Sequence, residues 1–243
     1  MSNTMLFDAH THLNFEKYTE EERRELAAEI EASDVAFIID VADCTDSAVQ
    51  ALKDADDYPW CYAAVGIHPD HASKYTDADI EEIRRLAAHP KAMAIGEIGL
   101  DFYYGTDDRE EQQELFRKQI RLANELKMPI MIHSRDAHQL TMDILKEEGA
   151  FSDERKTWFT PRTVGGKEVP DARVQMHCFS GSPERLWACR MRQAMVRFLA
   201  SAAGTSKASA GAPPTSQTPR SCSVIIEVPP CAGILPLLLY CVL

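Results

Sequence analysis

Two histidines one residue apart, His10 and His12, close the first apolar run of the chain, Met5-Leu6-Phe7-Asp8-Ala9. Side chains of a β-strand alternate with a period of two, so both imidazoles point the same way. Paired imidazoles at a strand end are half of a divalent metal site. An isolated His-x-His is as readily a pair of polar loop histidines, and three later segments decide between these readings. Ala92 to Asp101 sets Glu97 near a strand end between Gly96 and Gly99, where backbone can approach a ligand closely. Met128 to Asp136 is an apolar run that ends in His133, and Ala172 to Ser182 repeats the layout with His177. Singly, each is an ordinary strand-end residue. Four apolar runs that each end in His or Glu read together as ligands converging on one face of a parallel sheet.

Helical patterns separate these runs. Glu20 to Ala32, Thr45 to Ala55, Asp77 to Ala88, Arg109 to Lys127 and Ala137 to Glu148 are rich in helix formers, with apolar residues at helical spacing. Strands are expected near residues 5–9, 35–41, 61–67, 92–98, 129–133 and 173–177. Strict alternation of strand and helix implies an α/β fold with a parallel sheet. Functional groups at the C-terminal strand ends favour a (β/α)8 TIM-type barrel, with six of its eight strands recognisable, over a doubly wound sheet.

Five motifs then stand in order: Asp8-Ala9-His10-Thr11-His12, Gly66-Ile67-His68-Pro69, Gly96-Glu97-Ile98-Gly99-Leu100-Asp101, Pro129-Ile130-Met131-Ile132-His133-Ser134-Arg135 and His177-Cys178-Phe179-Ser180-Gly181. Over residues 5–184 the chain resembles the TatD family, metal-dependent deoxyribonucleases of the amidohydrolase type. The resemblance implies a two-metal phosphodiesterase acting on DNA, at strand ends or on single strands. His10, His12 and Glu97 would hold one divalent ion, and Glu97, His133 and His177 the other, with Glu97 as the bridging catalytic carboxylate. Two ions can activate water and neutralise the attacking and leaving oxygens of a phosphodiester. Mixed imidazole and carboxylate ligands suit Zn, Mn or Fe, and Mg where carboxylates and waters dominate. His68 either contacts substrate phosphate or braces the ligands. Arg135 either clamps a phosphate or pairs with Asp136 or a helix carboxylate. His71, His89 and His138 read as surface or capping residues.

Composition bounds the partners. A chain of 243 residues fits one barrel, and its net charge of −12 argues against a long duplex-binding groove. Cys44 and Cys61 lie in or beside apolar strands without a CxxC pairing, so reduced thiols are expected. Met1-Ser2-Asn3-Thr4 is too short and polar for a secretory signal, so a cytoplasmic location, or a nuclear one, is expected, with no membrane partner. Another amidohydrolase-type hydrolase is the alternative, although Glu97 stands where those enzymes typically carry a carboxylated lysine.

The chain divides at about residue 184 into a barrel region, 1–184, and an atypical tail, 185–243. Of 38 acidic residues, 37 precede position 185 and only Glu227 follows it. Ser201 to Arg220 is a low-complexity Ala/Ser/Gly/Thr/Pro tract that reads as disorder. A changed reading frame, alternative splicing or a gene-model error would each leave so abrupt a shift. Family members place a further ligand Asp after the last strand in a Glu-Thr-Asp context; here Glu227 matches the Glu and Pro229 stands at the Asp. Val224 to Val228 is the tail's best strand, the tail is not expected to complete the barrel, and a remnant without activity is the third reading. Strands one and six would then be left with open edges.

Overall fold

The computed structural model describes residues 5–105, 107–177 and 225–228. Strands and helices alternate as β1 (Met5–Thr11), α1 (Glu20–Glu31), β2 (Val35–Val41), α2 (Thr45–Asp57) and β3 (Cys61–Val65). A 3-10 turn at Pro69–His71 leads to α3 (Asp77–Leu86), β4 (Ala92–Asp101), α4 (Arg109–Leu126), β5 (Ile130–Arg135) and α5 (His138–Glu147). The five expected helices and six expected strands are all present, with ends shifted by a few residues. Local chemistry sets the starts: Thr19 and Glu22 form a reciprocal capping box on α1, and Thr76 with Asp79 does the same for α3.

Between α5 and the last parallel strand lie three short elements that the helical and strand patterns did not announce. They are α6 (Asp153–Lys156), β6 (Arg162–Val164) and β7 (Lys167–Val169), followed by β8 (Val174–His177). β6 and β7 form a separate hairpin, turned by Gly165 and Gly166 at φ 57° and 78°. The parallel strands lie in the order β8-β5-β4-β3-β2-β1. The sheet curls until its two ends meet, for the rings of His10 on β1 and His177 on β8 stack at 3.5 Å between centroids. A nearly closed barrel results. Phe7, Ala9, Ile39, Val41, Ala64, Ala94 and Met131 fill its interior, while Ile95, Ile98, Leu100, Ile130 and Ile132 face the helices.

Two strands carry one residue more than their neighbours. From Asp8 to Thr11, β1 advances three residues while β2 advances two, from Ile38 to Asp40. From Ile95 to Ile98, β4 advances three while β5 advances two, from Ile130 to Ile132. Each extra residue reverses the alternation, so that Ala94 and then Glu97 face inward although they are three apart. The bulges thus aim His10 and Glu97 into the barrel mouth.

The tail's expected strand exists as β9 (Ile225–Val228), but it runs antiparallel to β1, with Ile225 opposite Asp8 and Val228 opposite Met5. It covers the β1 edge that was expected to be open. A βα barrel strand would have to be parallel. The low-complexity tract lies outside the described residues. No helix among the described residues is long and apolar enough to cross a membrane.

One buried cation ties the last parallel strand to the barrel. Arg155 of α6 is fully buried and donates to the carbonyls of Ala172 and Met128 and to Asn124 Oδ1. Burial lowers its pKa to about 10. Arg155→Ala would orphan three acceptors beside β5 and β8 and is expected to cost about 3 kcal/mol in urea-induced unfolding. A loss below about 1 kcal/mol would show that β8 is held by its sheet bonds alone.

Candidate metal centre

The side chains that end β1, β4, β5 and β8 converge on Glu97. Its Oε2 lies 3.3 Å from His10 Nε2, and its Oε1 lies 2.8 Å from His133 Nδ1 and 3.8 Å from His177 Nε2. His12 Nε2 lies 3.2 Å from His10 Nε2. His68, which caps the 3-10 turn after β3, packs edge-on to His133 at 4.4 Å between ring centroids. Ligand atoms of His10, Glu97 and His177 lie within 4.8 Å of one another, as do those of His68, Glu97 and His133. The five expected ligands are therefore brought together, and His68 joins them.

Burial governs their protonation. Burial alone would raise the Glu97 carboxyl, but His10, His133 and His177 outweigh it and hold it well below the usual carboxylate range. Burial lowers His177 to about 3, with His10 adding to the effect. His12 is lowered by burial and by His10, and His68 chiefly by burial. His133 is the exception: burial opposes its charge, yet hydrogen bonds to Asp101 and Glu97 raise it to about 9.

The imidazoles of His12, His68 and His177, each shifted toward the neutral form, stand around an ionised carboxylate and offer a donor set for a divalent cation. Two details fit these residues to one. His12 Nδ1 lies 2.9 Å from the Val41 carbonyl and donates to it, which leaves the Nε2 lone pair aimed at His10. The buried Nδ1 atoms of His10 and His177 have no hydrogen-bond partner among the described residues.

Asp101 was missed as a site residue. Its Oδ2 lies 2.9 Å from His133 Nε2, and its Oδ1 accepts the Tyr103 backbone N–H at 2.9 Å. Period two along β4 was the available signal, since Glu97, Gly99 and Asp101 share a face. Gly99 between them has φ +148°, and a Cβ there would stand 2.0 Å from the His133 carbonyl oxygen. Arg135, at the end of β5, stacks its guanidinium 3.6 Å from the Tyr103 ring centroid. His89 pairs with Asp56 at 3.3 Å, and His138 Nδ1 lies 2.9 Å from Ser134 Oγ, as suits surface and capping roles.

The TatD related DNase family profile matches residues 7–212. The chain belongs to the TatD family. It is 39% identical to an uncharacterised metal-dependent hydrolase of Bacillus subtilis over 74% of this chain and 63% of the relative. A TatD of Escherichia coli, described as a 3'-5' ssDNA/RNA exonuclease, is 32% identical over 76% of this chain and 63% of its own length. The crystal structure of the E. coli TatD homologue YjjV superposes with a TM-score of 0.59 at 28% identity, covering 74% of this chain and 62% of that one. A TatD family hydrolase from Entamoeba histolytica shares the fold, with a TM-score of 0.60 at 21% identity over 78% of this chain and 63% of the other. This TatD chain thus spans a little under two thirds of the relatives it matches.

Glu97→Gln keeps the shape of the side chain and removes its charge. It should weaken Mn2+ or Zn2+ binding at least ~100-fold in calorimetric titration, and Asp101→Asn about 10- to 100-fold. Unchanged stoichiometry and affinity in Glu97→Gln would make Glu97 a structural strand-end residue.

A second cluster lies beside the mouth, where Asp43, Cys44 and His71 approach one another. Asp43 Oδ2 lies 3.8 Å from His71 Nε2, and Ser47 donates its hydroxyl to Asp43 Oδ1 at 2.6 Å. The interaction with the Asp43 carboxylate raises His71, and the nearby His71 lowers Asp43. The pair's stabilisation is therefore lost as pH rises through the elevated His71 pKa, and lost again as pH falls through the depressed Asp43 pKa. An NMR titration of His71 should give a midpoint above the ordinary ~6.5, returning to it in Asp43→Asn. Identical midpoints in the two proteins would show that the pair does not form.

Proposed function

We propose that this TatD chain is a metal-dependent phosphodiesterase that removes nucleotides from the ends of single-stranded DNA. Glu97 carries the reading: one buried carboxylate offers Oε2 to His10 and Oε1 to His133 and His177, as a bridging ligand would. His10, His12 and Glu97 would hold one divalent ion, and Glu97, His133 and His177 the other, with Mg, Mn or Zn as the metal. When bound, two such ions supply positive charge to the phosphate oxygens and lower the pKa of a water nucleophile.

The chain's own groups hold this chemistry in place. His12 is locked by the Val41 carbonyl in the tautomer that presents Nε2. Asp101 fixes the His133 ring from the far side, so that the ring cannot turn away from Glu97. His68 accepts the Asp70 backbone N–H on Nδ1, which puts the neutral ring's proton on Nε2, available to a phosphate oxygen. Arg135 brings a fixed positive charge to the rim.

The net charge of −12 bears on the substrate. A duplex held by many phosphates needs a broad basic surface. A strand end needs positive charge only at its last phosphates, where bound metal would supply it. The E. coli relative's description as an ssDNA/RNA exonuclease supports the same choice.

With Mn2+ or Mg2+, the purified chain should release mononucleotides from a linear single-stranded oligonucleotide and leave a circular single strand intact. EDTA should stop release, and Glu97→Gln should lower kcat/KM at least ~1000-fold. Equal cleavage of circle and linear strand would overturn the end-directed reading. Absence of any metal-dependent cleavage would overturn the activity itself.

A further inference from the structure

Only four large hydrophobic residues are exposed among the described residues, and two of them are neighbours at the barrel mouth: Tyr103 at 55% and Tyr104 at 78% exposure. They stand two and three residues after Asp101, and the Tyr103 backbone N–H is the group that fixes Asp101 Oδ1. From Asp101 the hydrogen bonds run through both nitrogens of His133 to Glu97. The two rings therefore stand one short, rigid step from the candidate metal ligands.

Their arrangement is organised. The rings meet edge to face at 4.9 Å, and the Arg135 guanidinium lies 3.6 Å from the Tyr103 centroid and 5.2 Å from that of Tyr104. The Phe102 backbone N–H donates to the Arg135 carbonyl at 3.0 Å, which pins the loop to the end of β5. Arg109 stacks on Phe102 at 4.3 Å, adding a second cation to the same rim. Aromatic faces interleaved with arginines are the surface on which unpaired bases stack.

We infer that Tyr103, Tyr104 and Arg135 form a stacking platform for an unpaired base next to the scissile phosphodiester of a single-stranded nucleic acid. The inference rests on the phosphodiesterase reading and specifies what the site recognises. A tyrosine face accepts any base, so the platform gives preference for single strands without sequence preference. Bases within a duplex are stacked on each other and cannot use it. The ordinary alternative is a pair of aromatics that shield the loop beneath them, but rings more than half exposed shield little.

The test compares a single-stranded oligodeoxynucleotide with an abasic phosphodiester strand of the same length, each with Mn2+. Replacing both rings (Tyr103→Ala with Tyr104→Ala) should raise KM for the normal strand about tenfold or more while kcat stays within about twofold. KM for the abasic strand should not move, and phenylalanine at both positions should restore the wild-type KM. An unchanged KM on the normal strand, or an equal rise on both strands, would overturn the platform. If the wild-type chain cleaves neither strand, the phosphodiesterase reading fails on its own, and fluorescence anisotropy of labelled strands decides the platform. Wild-type protein should then bind the normal strand more tightly than the abasic one, with the difference lost in the double alanine variant. Equal binding of both strands by wild-type protein would refute the platform.

Discussion

A carboxylate buried at the mouth of an apolar barrel stays ionised only if donors or positive groups surround it. Glu97 is 3% exposed, and that constraint organises the molecule. Its partners come from β1 and β8, the two ends of the parallel sheet, and from β5 next to β8. The sheet must curl far enough for His10 and His177 to reach one carboxylate from opposite edges. In the same step the imidazoles become buried, and burial pushes His12, His68 and His177 toward the neutral form that leaves a nitrogen lone pair available. Charge burial, sheet closure and ligand chemistry are thus one problem with one solution.

That solution needs departures from regular strand geometry, and they occur where the ligands are. Plain alternation would send His10 and Ala9 to opposite faces, and likewise Glu97 and Ala94 would not share one. The extra residues in β1 and β4 reverse the alternation just before each ligand, so the lower barrel stays filled by Ala9 and Ala94 while the mouth receives His10 and Glu97. β5 needs no such correction, because Met131 and His133 already share the inner face. Gly99 then lets β4 and β5 pass closely enough for Glu97 and Asp101 to grip His133 from its two sides.

Most of this was legible in the residues because parallel strands and amphipathic helices write strong periodic patterns. The positions of His10, His12, Glu97, His133 and His177 at strand ends were readable for that reason, as was the α/β alternation. What was not read depends on single contacts. Arg155 sits in a four-residue helix too short for any period, and its role comes from three acceptors that only the fold assembles. The Gly165-Gly166 pair was a turn signal for β6 and β7, but three-residue strands carry no pattern of their own. Asp101 was quoted within its motif and overlooked as a site residue, although spacing from Glu97 put it on the same face. The bulges have no sequence signature here, so the reversal that brings Ala9 and His10 to the same face was not readable from period two.

A barrel strand supplied by the tail would run parallel to β1. β9 runs the other way: Glu227 is opposite Leu6 and Val228 opposite Met5, at the end of β1 remote from His10. Among the described residues, the carboxylates paired with His10, His133 and His177 are Glu97 and Asp101, both on β4. Both belong to one strand, which sets the described negative charge of the centre on the side of the mouth where Tyr103 and Arg135 stand.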